Sequence, residues 1–118
     1  MQEFITGKVN CPCCNIEPQE EALVLLRSLA RDFKKNFGKA LIVNSGKRCA
    51  EHNKAVGGVA NSSHTKGWAF DISCPTSREK YIVLRHLFRM GVQRIGVYKT
   101  FVHFDIDEEL PQEVVWYS

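Results

Sequence analysis

Apolar residues recur at intervals of three and four between residues 17 and 38, and this spacing is typical of a helix that buries one face. The repeating positions are Leu23, Leu26, Ala30, Phe33 and Phe37. Pro18 suits the first turn of such a helix, and three nearby glutamates suit the positive end of its dipole. Gly38 is placed to end it. The pattern therefore predicts a first helix over residues 17–38.

A second helix is predicted over residues 76–91, because Thr76 and Glu79 form the S/T-x-x-E capping box and Gly91 is placed to end the helix. Strands are predicted at 40–46, 68–73, 94–98 and 101–107, with a helical turn at 50–58 and a last strand or packed tail at 114–118. This order predicts a single α+β domain over residues 1–118, with helices packed on a mostly antiparallel sheet.

The predicted strand 68–73 contains an acid inside an otherwise apolar run. Side chains alternate between the two faces of a strand, so Phe70 and Ile72 point towards the core. The opposite face holds Ala69, Asp71 and Ser73. His64 precedes this strand by a loop, and Gly67 allows the loop to fold back. We therefore expect the side chains of His64 and Asp71 to lie close together.

The predicted strand 101–107 repeats this arrangement. Its apolar face holds Val102, Phe104 and Ile106, and its other face holds Phe101, His103 and Asp105. If the two strands are neighbours, His103 converges with Asp71 and His64. Two imidazoles and one carboxylate are a ligand set for catalytic zinc, with a fourth position left for water. A single such residue on a strand is more often solvated or hydrogen-bonded, and the joint phasing alone leaves both interpretations open.

Composition excludes some classes of function. The 118 residues are 44% hydrophobic and 25% charged, which is ordinary for a globular domain. A formal charge of +3 is too balanced to predict binding to nucleic acid or to a membrane surface. No apolar run approaches the roughly 18 residues of a membrane span, and the first ten residues lack the apolar core of a signal peptide. We expect synthesis in the cytoplasm.

The five cysteines allow two interpretations. They are Cys11, Cys13, Cys14, Cys49 and Cys74. An odd number argues against a fully paired disulfide framework. The segment "CPCC" suggests a metal knuckle, but a structural zinc usually needs a second close Cys/His pair, and the other two cysteines are far apart in sequence. We expect small buried side chains with one or two incidental bridges, and a structural zinc at "CPCC" is the alternative.

Three spaced motifs resemble the zinc D-Ala-D-Ala carboxypeptidase family of peptidoglycan peptidases, which shares its fold with the hedgehog signalling domain. The segment "SSHTKGWAFDIS" resembles the family motif S-x-H-x-x-G-x-A-x-D, which falls on Ser62, His64, Gly67, Ala69 and Asp71. "NSGKRCAEHNKAVGG" resembles its S-G-x-R segment, and "RIGVYKTFVHFDID" resembles its last strand pair. The resemblance implies a hedgehog-like fold in which His64, Asp71 and His103 bind one Zn²⁺.

The resemblance also implies roles for two polar residues upstream. Arg48 is expected to contact a carboxylate of the substrate, since a guanidinium fork suits that anion. Ser62 is expected to form a hydrogen bond with the substrate or with a metal ligand. Trp68 and Tyr98 are expected to line or support the cleft, and His52 and His86 to lie outside the chemistry.

The general base is harder to assign. Many members of the family have an acid three residues before the last histidine, where this chain has Thr100. We predict Asp105 as the base, since it shares a strand face with His103. The alternative is that Asp105 only orients that imidazole. Glu108 and Glu109 are weaker candidates for the base.

These interpretations predict a zinc-dependent peptidase that cleaves the stem or cross-bridge peptides of bacterial peptidoglycan. D-Ala-D-Ala carboxypeptidase and L-alanyl-D-glutamate endopeptidase activities both fit. We expect a monomer that acts on the cell wall after release by another protein, as a phage or prophage lysis enzyme does. The first alternative is a hedgehog-like binding domain that keeps zinc without hydrolysis, and the second is a purely structural zinc domain.

Overall fold

A computed structural model of the protein describes residues 4–59 and 62–118. Residues 1–3, within the predicted domain 1–118, and residues 60–61 lie outside the described residues. The described elements, in chain order, are β1 (Ile5–Gly7), α1 (Glu20–Phe37), β2 (Leu41–Ser45), α2 (Ala50–Ala55), α3 (Ser63–Lys66), β3 (Ala69–Ser73), α4 (Ser77–Arg89), β4 (Arg94–Val97), β5 (Phe101–Asp105) and β6 (Val114–Tyr117). The predicted α+β class is confirmed.

The six strands form one sheet in the order β1-β2-β3-β5-β4-β6. The three central pairings are antiparallel, whereas β1 with β2 and β4 with β6 pair in parallel at the two edges. The sheet is therefore mostly antiparallel, as the sequence predicts. Strands β3 and β5 lie at its centre, so their side chains are fixed by neighbours on both sides.

The first helix packs one apolar face into the core. Its buried residues are Ala22, Leu23, Leu26, Leu29, Ala30 and Phe33. Gly38 ends the helix with φ 68°, as predicted. The predicted place of Pro18 in the first turn is wrong, because the helix begins at Glu20. The preceding residue, Gln19, instead donates its backbone N–H to the carbonyl of Gly67 at 3.0 Å.

The second long helix, α4, has the predicted capping box, with both reciprocal hydrogen bonds between Thr76 and Glu79. It contacts α1 through His86, whose Nε2 lies 2.9 Å from Ser28 Oγ and whose Nδ1 lies 3.5 Å from Asp32 Oδ2. No helix among the described ranges has both the length and the apolar character needed to cross a bilayer.

The apolar faces predicted for the two central strands are confirmed, since Phe70, Ile72, Val102 and Phe104 are fully buried. Residues 114–117 form a strand rather than a packed tail. Two elements were not predicted from the sequence. Strand β1 pairs with β2, and α3 forms a short helix where a loop was expected. Both are too short to show a hydrophobic period.

Candidate metal centre

The central strand pair places two polar side chains side by side on the face opposite the core. Asp71 of β3 lies directly opposite His103 of β5, one residue from the buried pair Phe70 and Phe104. Asp71 Oδ1 and His103 Nδ1 are 2.8 Å apart. The strand alternation that buries two phenylalanines therefore turns a carboxylate and an imidazole towards the open face.

The third side chain, His64, comes from α3. Ser62 caps this helix by accepting a hydrogen bond from the His64 backbone N–H at 3.2 Å, and Gly67 ends it. His64 Nδ1 lies 2.8 Å from the carbonyl oxygen of Gly46, while Nε2 lies 3.4 Å from Asp71 Oδ2. Since a carbonyl only accepts hydrogen bonds, Nδ1 carries the proton and Nε2 presents its lone pair towards Asp71.

His64, Asp71 and His103 each offer one ligand atom, and these three atoms lie within 4.8 Å of one another. Burial disfavours charge on Asp71, yet the hydrogen bond from His103 holds the pKa of its carboxyl well below the usual range. Burial also opposes a charged His103, but Asp105 and Asp71 outweigh it and raise the pKa of that imidazole to about 9. The site therefore favours a cation, and its donors fit a three-ligand zinc centre.

Asp105 lies at the other nitrogen of the His103 ring. Its Oδ2 is 2.7 Å from His103 Nε2, and its Oδ1 accepts hydrogen bonds from Arg94 Nε at 2.8 Å and from the backbone N–H of Asp107 at 3.1 Å. The residue is only 1% exposed. A buried carboxylate on the second nitrogen of a ligating imidazole usually fixes the orientation of the ring. These contacts favour the orienting role that the sequence left open.

The other acids considered for the base lie at the surface. Glu108 is exposed, and Glu109 is 3.6 Å from Lys66 Nζ with most of its side chain in solvent. Thr100 lies in the exposed turn between β4 and β5, where its carbonyl accepts the N–H of Cys74 at 2.8 Å. Nothing in these contacts directs either glutamate towards the centre.

Arg48 follows β2 and lies beside the candidate centre. Its backbone N–H donates to the carbonyl of His64 at 3.0 Å, and its Nη1 donates to Asn53 Oδ1 at 3.0 Å. Its Nε is buried and has no hydrogen-bond partner among residues 4–59 and 62–118. Burial lowers the pKa of Arg48, while the nearby charge of Asp71 opposes that shift. One donor of the guanidinium is thus left for another partner.

An aromatic wall lies beside His103, and of its two rings the sequence predicted Tyr98 but not Trp116. The indole of Trp116 is 5.5 Å from the His103 ring and donates its Nε1–H to the hydroxyl of Tyr98 at 3.0 Å. A Cβ atom on Gly96 would come within 2.4 Å of Trp116 Nε1, so this glycine makes room for the indole. Trp68 is partly buried against the core. A glycine inside the strand 94–98 was the available signal, since it often marks a close approach.

Asp107 was also missed. It is 1% exposed and accepts hydrogen bonds from Ser63 Oγ at 2.8 Å and from Lys66 Nζ at 2.9 Å. Burial opposes its ionisation, but Lys66 and Ser63 lower its pKa. Both partners belong to α3, so this acid joins the helix that carries His64 to the end of β5. The signal was the second acid of "DID", two residues after Asp105.

The fold and the site together define a class of protein, in which two imidazoles and one carboxylate lie on the open face of a mostly antiparallel sheet as a candidate hydrolytic metal centre. A family model described as Peptidase M15 matches residues 4–105, and the chain belongs to this family. A search of curated proteins finds no match. Membership confirms the resemblance to zinc D-Ala-D-Ala carboxypeptidases and supports a zinc metallopeptidase with a peptide substrate.

Proposed function

We propose that the protein is a zinc-dependent peptidase that cleaves peptide bonds of bacterial peptidoglycan, of the D-Ala-D-Ala carboxypeptidase or L-alanyl-D-glutamate endopeptidase type. The observation that carries the proposal is the convergence of His64, Asp71 and His103 on the open face of the sheet, with ligand atoms within 4.8 Å of one another. Three protein ligands with two imidazoles are typical of catalytic rather than closed structural zinc sites.

In this proposal His64 Nε2, Asp71 and His103 hold the zinc ion. When bound, the ion supplies a Lewis acid that polarises a peptide carbonyl and activates water. The carbonyl of Gly46 fixes the tautomer of His64 through Nδ1, and Asp105 fixes the His103 ring through Nε2. Each imidazole is thus oriented by a partner on its other nitrogen, which prepares the ligand set before the ion binds.

Arg48 is the proposed contact for a carboxylate of the substrate. Its buried Nε lacks a partner among the described residues, and an unsatisfied guanidinium N–H beside a cleft suits an anion. Ser62 is proposed as a further hydrogen-bond donor. Its oxygen accepts the His64 N–H, which leaves its own O–H available. Peptidoglycan stem peptides carry carboxylates that such donors would recognise.

The contacts of Asp105 favour a second candidate function, a zinc-containing binding domain that performs no hydrolysis. If Asp105 is held by Arg94, Asp107 and His103, it is not free to accept the proton of a water molecule. General-base assistance contributes about 10²–10⁴-fold to such reactions, so its absence would leave binding without useful turnover. Asp105 as the base therefore remains a prediction.

The biological setting is also part of the proposal. A monomeric lysis enzyme of a phage or prophage, carried to the cell wall by another protein, would meet this substrate. The mass of the released fragments bears on the bond that is cut, since a carboxypeptidase releases D-alanine whereas an endopeptidase exposes the amino group of D-glutamate.

The test is digestion of purified peptidoglycan by the zinc-loaded protein, with the new termini identified by mass spectrometry. We expect cleavage that stops with a chelator and returns with added Zn²⁺. His64→Ala, Asp71→Ala and His103→Ala should each lose the zinc ion of this centre and cleavage together. Intact peptidoglycan in the presence of protein with zinc bound at this centre would favour the non-hydrolytic binding domain.

A further inference from the structure

Four of the five cysteines lie close together, three of them before α1 and the fourth directly after Arg48. Cys11, Cys13 and Cys14 come from the segment before α1, and Cys49 caps the N-terminus of α2. Each thiol offers a sulfur atom, and the four sulfurs lie within 4.8 Å of one another. We propose that these four cysteines bind a structural zinc ion, in addition to the centre formed by His64, Asp71 and His103.

The first three thiols are brought together by a tight turn. The N–H of Asn15 donates to the carbonyl of Cys11 at 2.8 Å, and the N–H of Cys11 donates to the carbonyl of Ile16 at 3.0 Å. Asn15 has φ 60°, which reverses the chain within a few residues. The turn places the three sulfurs of this six-residue segment close to Cys49, the residue before the first turn of α2.

The distances fit a shared ion better than a disulfide. Cys13 Sγ lies 3.0 Å from Cys49 Sγ and 3.5 Å from Cys11 Sγ, and all five cysteines of the chain are free thiols in the structure. A disulfide requires about 2.05 Å between sulfurs and would use only two of the four. Zinc binds each thiolate at about 2.3 Å in a tetrahedron, so sulfurs grouped within a few ångströms need little movement to share one ion.

Two backbone N–H groups point at sulfur atoms of the cluster. Cys49 N donates to Cys11 Sγ at 3.3 Å, and His52 N donates to Cys49 Sγ at 3.4 Å. Hydrogen bonds to sulfur favour the thiolate, which is the form that ligates a metal. The ligand set thus already has part of the outer hydrogen bonding that metal sites usually have.

From the sequence alone a structural zinc was not favoured, because the chain has no second close Cys/His pair to complete the ligands of "CPCC". Folding supplies the fourth ligand from Cys49, 35 residues after Cys14, because the loop after β2 returns beside the segment before α1. With this site we expect two zinc ions per chain, where one was expected from the sequence. Cys74 is a separate case, buried in the apolar core.

The expected role of the second ion is to hold the loop that supports the candidate centre. Gly46 accepts the Nδ1–H of His64, the N–H of Arg48 donates to the His64 carbonyl, and the next residue is Cys49. The N–H of Lys47 donates to the carbonyl of Val9, close to the cysteine turn. Four thiolates leave no open coordination position, so the site is closed and structural.

Zinc is the ion that these ligands suit best. Thiolates are soft donors, and a tetrahedral set of four sulfurs is typical of structural zinc. Cys13 and Cys14 are exposed, and exposed thiols at this density oxidise readily unless an ion occupies them. The positive charge of the ion would also offset the mutual repulsion of the four thiolates.

The experiment measures zinc in the full chain, expressed with added Zn²⁺, kept reduced and freed of loose metal by gel filtration. We expect about two zinc ions per chain in the parent, about one in Cys49→Ser and about one in His64→Ala. Cys74→Ala, the matched control, should keep about two because that thiol lies outside the cluster. Replacement with Co²⁺ should give strong thiolate-to-metal absorption in the parent and in His64→Ala, and weaker absorption in Cys49→Ser, which keeps only three of the four thiolates.

Circular dichroism establishes that each variant is folded before its metal is counted. If Cys49→Ser does not fold, Cys14→Ser tests the same site at an exposed position. Zinc content that neither cysteine variant changes would overturn the proposal. A disulfide between Cys13 and Cys49 that persists in the presence of reductant would also overturn it. The cobalt absorption does not depend on the histidine centre, so the result stands whether or not the protein hydrolyses peptides.

Discussion

His103 has a carboxylate at each of its ring nitrogens, and these two partners are not equivalent. Asp71 faces Nδ1 on the side of His64, whereas Asp105 faces Nε2 and is itself held by Arg94. The nitrogen that faces Asp71 is the one placed to bind an ion with His64. Asp105 therefore controls which nitrogen carries the proton.

We predict that Asp105→Asn lowers zinc affinity by about 10–100-fold, as loss of a ligand-orienting contact usually does. Arg94 Nε and the N–H of Asp107 both donate to the Oδ1 position, so the amide oxygen of asparagine should lie there. Its NH₂ group then faces His103 Nε2 and requires that nitrogen to accept. The proton moves to Nδ1, where it competes with the ion. Competition with a zinc-binding dye measures the affinity.

Asp107→Asn is the matched control for this prediction. Asp107 is equally buried and receives hydrogen bonds from Ser63 and Lys66, whereas the hydrogen bonds of the His103 ring are with Asp71 and Asp105. Because Asp107 also holds α3, the control should lower the free energy of unfolding, but it should lower zinc affinity less than Asp105→Asn does. If Asp105→Asn instead keeps normal zinc affinity and loses about 10²–10⁴-fold in turnover, then Asp105 is the general base and the orienting role is wrong.

At the residue scale, strand alternation was enough to place Asp71 and His103 on one face, because a period of two is fixed by the backbone. The partners of Asp105 were not accessible in this way. They depend on the register that sets Arg94 opposite Asp105 across β4 and β5, and register follows from the packing of the whole sheet. The role of an acid was therefore harder to predict than its position.

At the scale of elements, the candidate centre depends on α3, which has only four residues. A helix this short is not stable alone, so its neighbours must hold it. Gln19 donates its backbone N–H to Gly67 O and its side-chain N–H to Lys66 O, and Asp107 receives two donors from the other side. The long helix α1 thus braces the short one through the residue before its first turn.

Gly67→Ala should test this brace. Gly67 has φ 81°, and a Cβ atom there would lie 3.0 Å from the backbone N of Gln19. The left-handed conformation alone disfavours alanine by about 1–2 kcal/mol, and the contact with Gln19 adds to that. We predict a larger loss of unfolding free energy than the conformation explains, together with weaker zinc binding at the centre that includes His64. Denaturant unfolding measures the first and dye competition the second.

Gly91→Ala provides the control, since Gly91 has φ 78° but nothing within 4 Å of the added Cβ atom. It should lose only the conformational part, about 1–2 kcal/mol, with zinc affinity unchanged. Equal losses in the two variants would mean that α1 does not brace α3. The two long helices were predicted from the sequence, α1 from its periodic apolar residues and α4 from its capping box, whereas β1 and α3 depend on contacts that a period cannot reveal.

At the scale of the whole molecule, the segment 46–49 lies between the two proposed zinc sites. Gly46 and Arg48 contact His64 on one side, and Cys49 contacts Cys11 and Cys13 on the other. Both the segment and the central strands were recognisable from motifs in the sequence. The loop that the two sites share was not recognisable, because it brings together residues that are 38 positions apart in the chain.

We predict that this shared loop couples the two sites energetically. The unfolding free energy of the reduced, zinc-loaded protein would be measured for the parent, Cys49→Ser, His64→Ala and the double variant. Since loss of either ion should loosen the loop that the other needs, the double variant should lose less than the sum of the single losses. The expected coupling is about 0.5–3 kcal/mol, the range found for residues that share a structural element.

A second cycle, between Cys49→Ser and Thr76→Ala, shows whether such coupling is specific. Thr76 caps α4 and, among residues 4–59 and 62–118, makes its side-chain hydrogen bonds with Glu79 alone, so the two changes should add within about 0.3–0.5 kcal/mol. Additive losses in both cycles would contradict a common loop, even if both zinc ions were present. Coupling found only between Cys49→Ser and His64→Ala would instead mean that a structural metal on one side of the loop helps to hold His64 and Arg48 in place on the other.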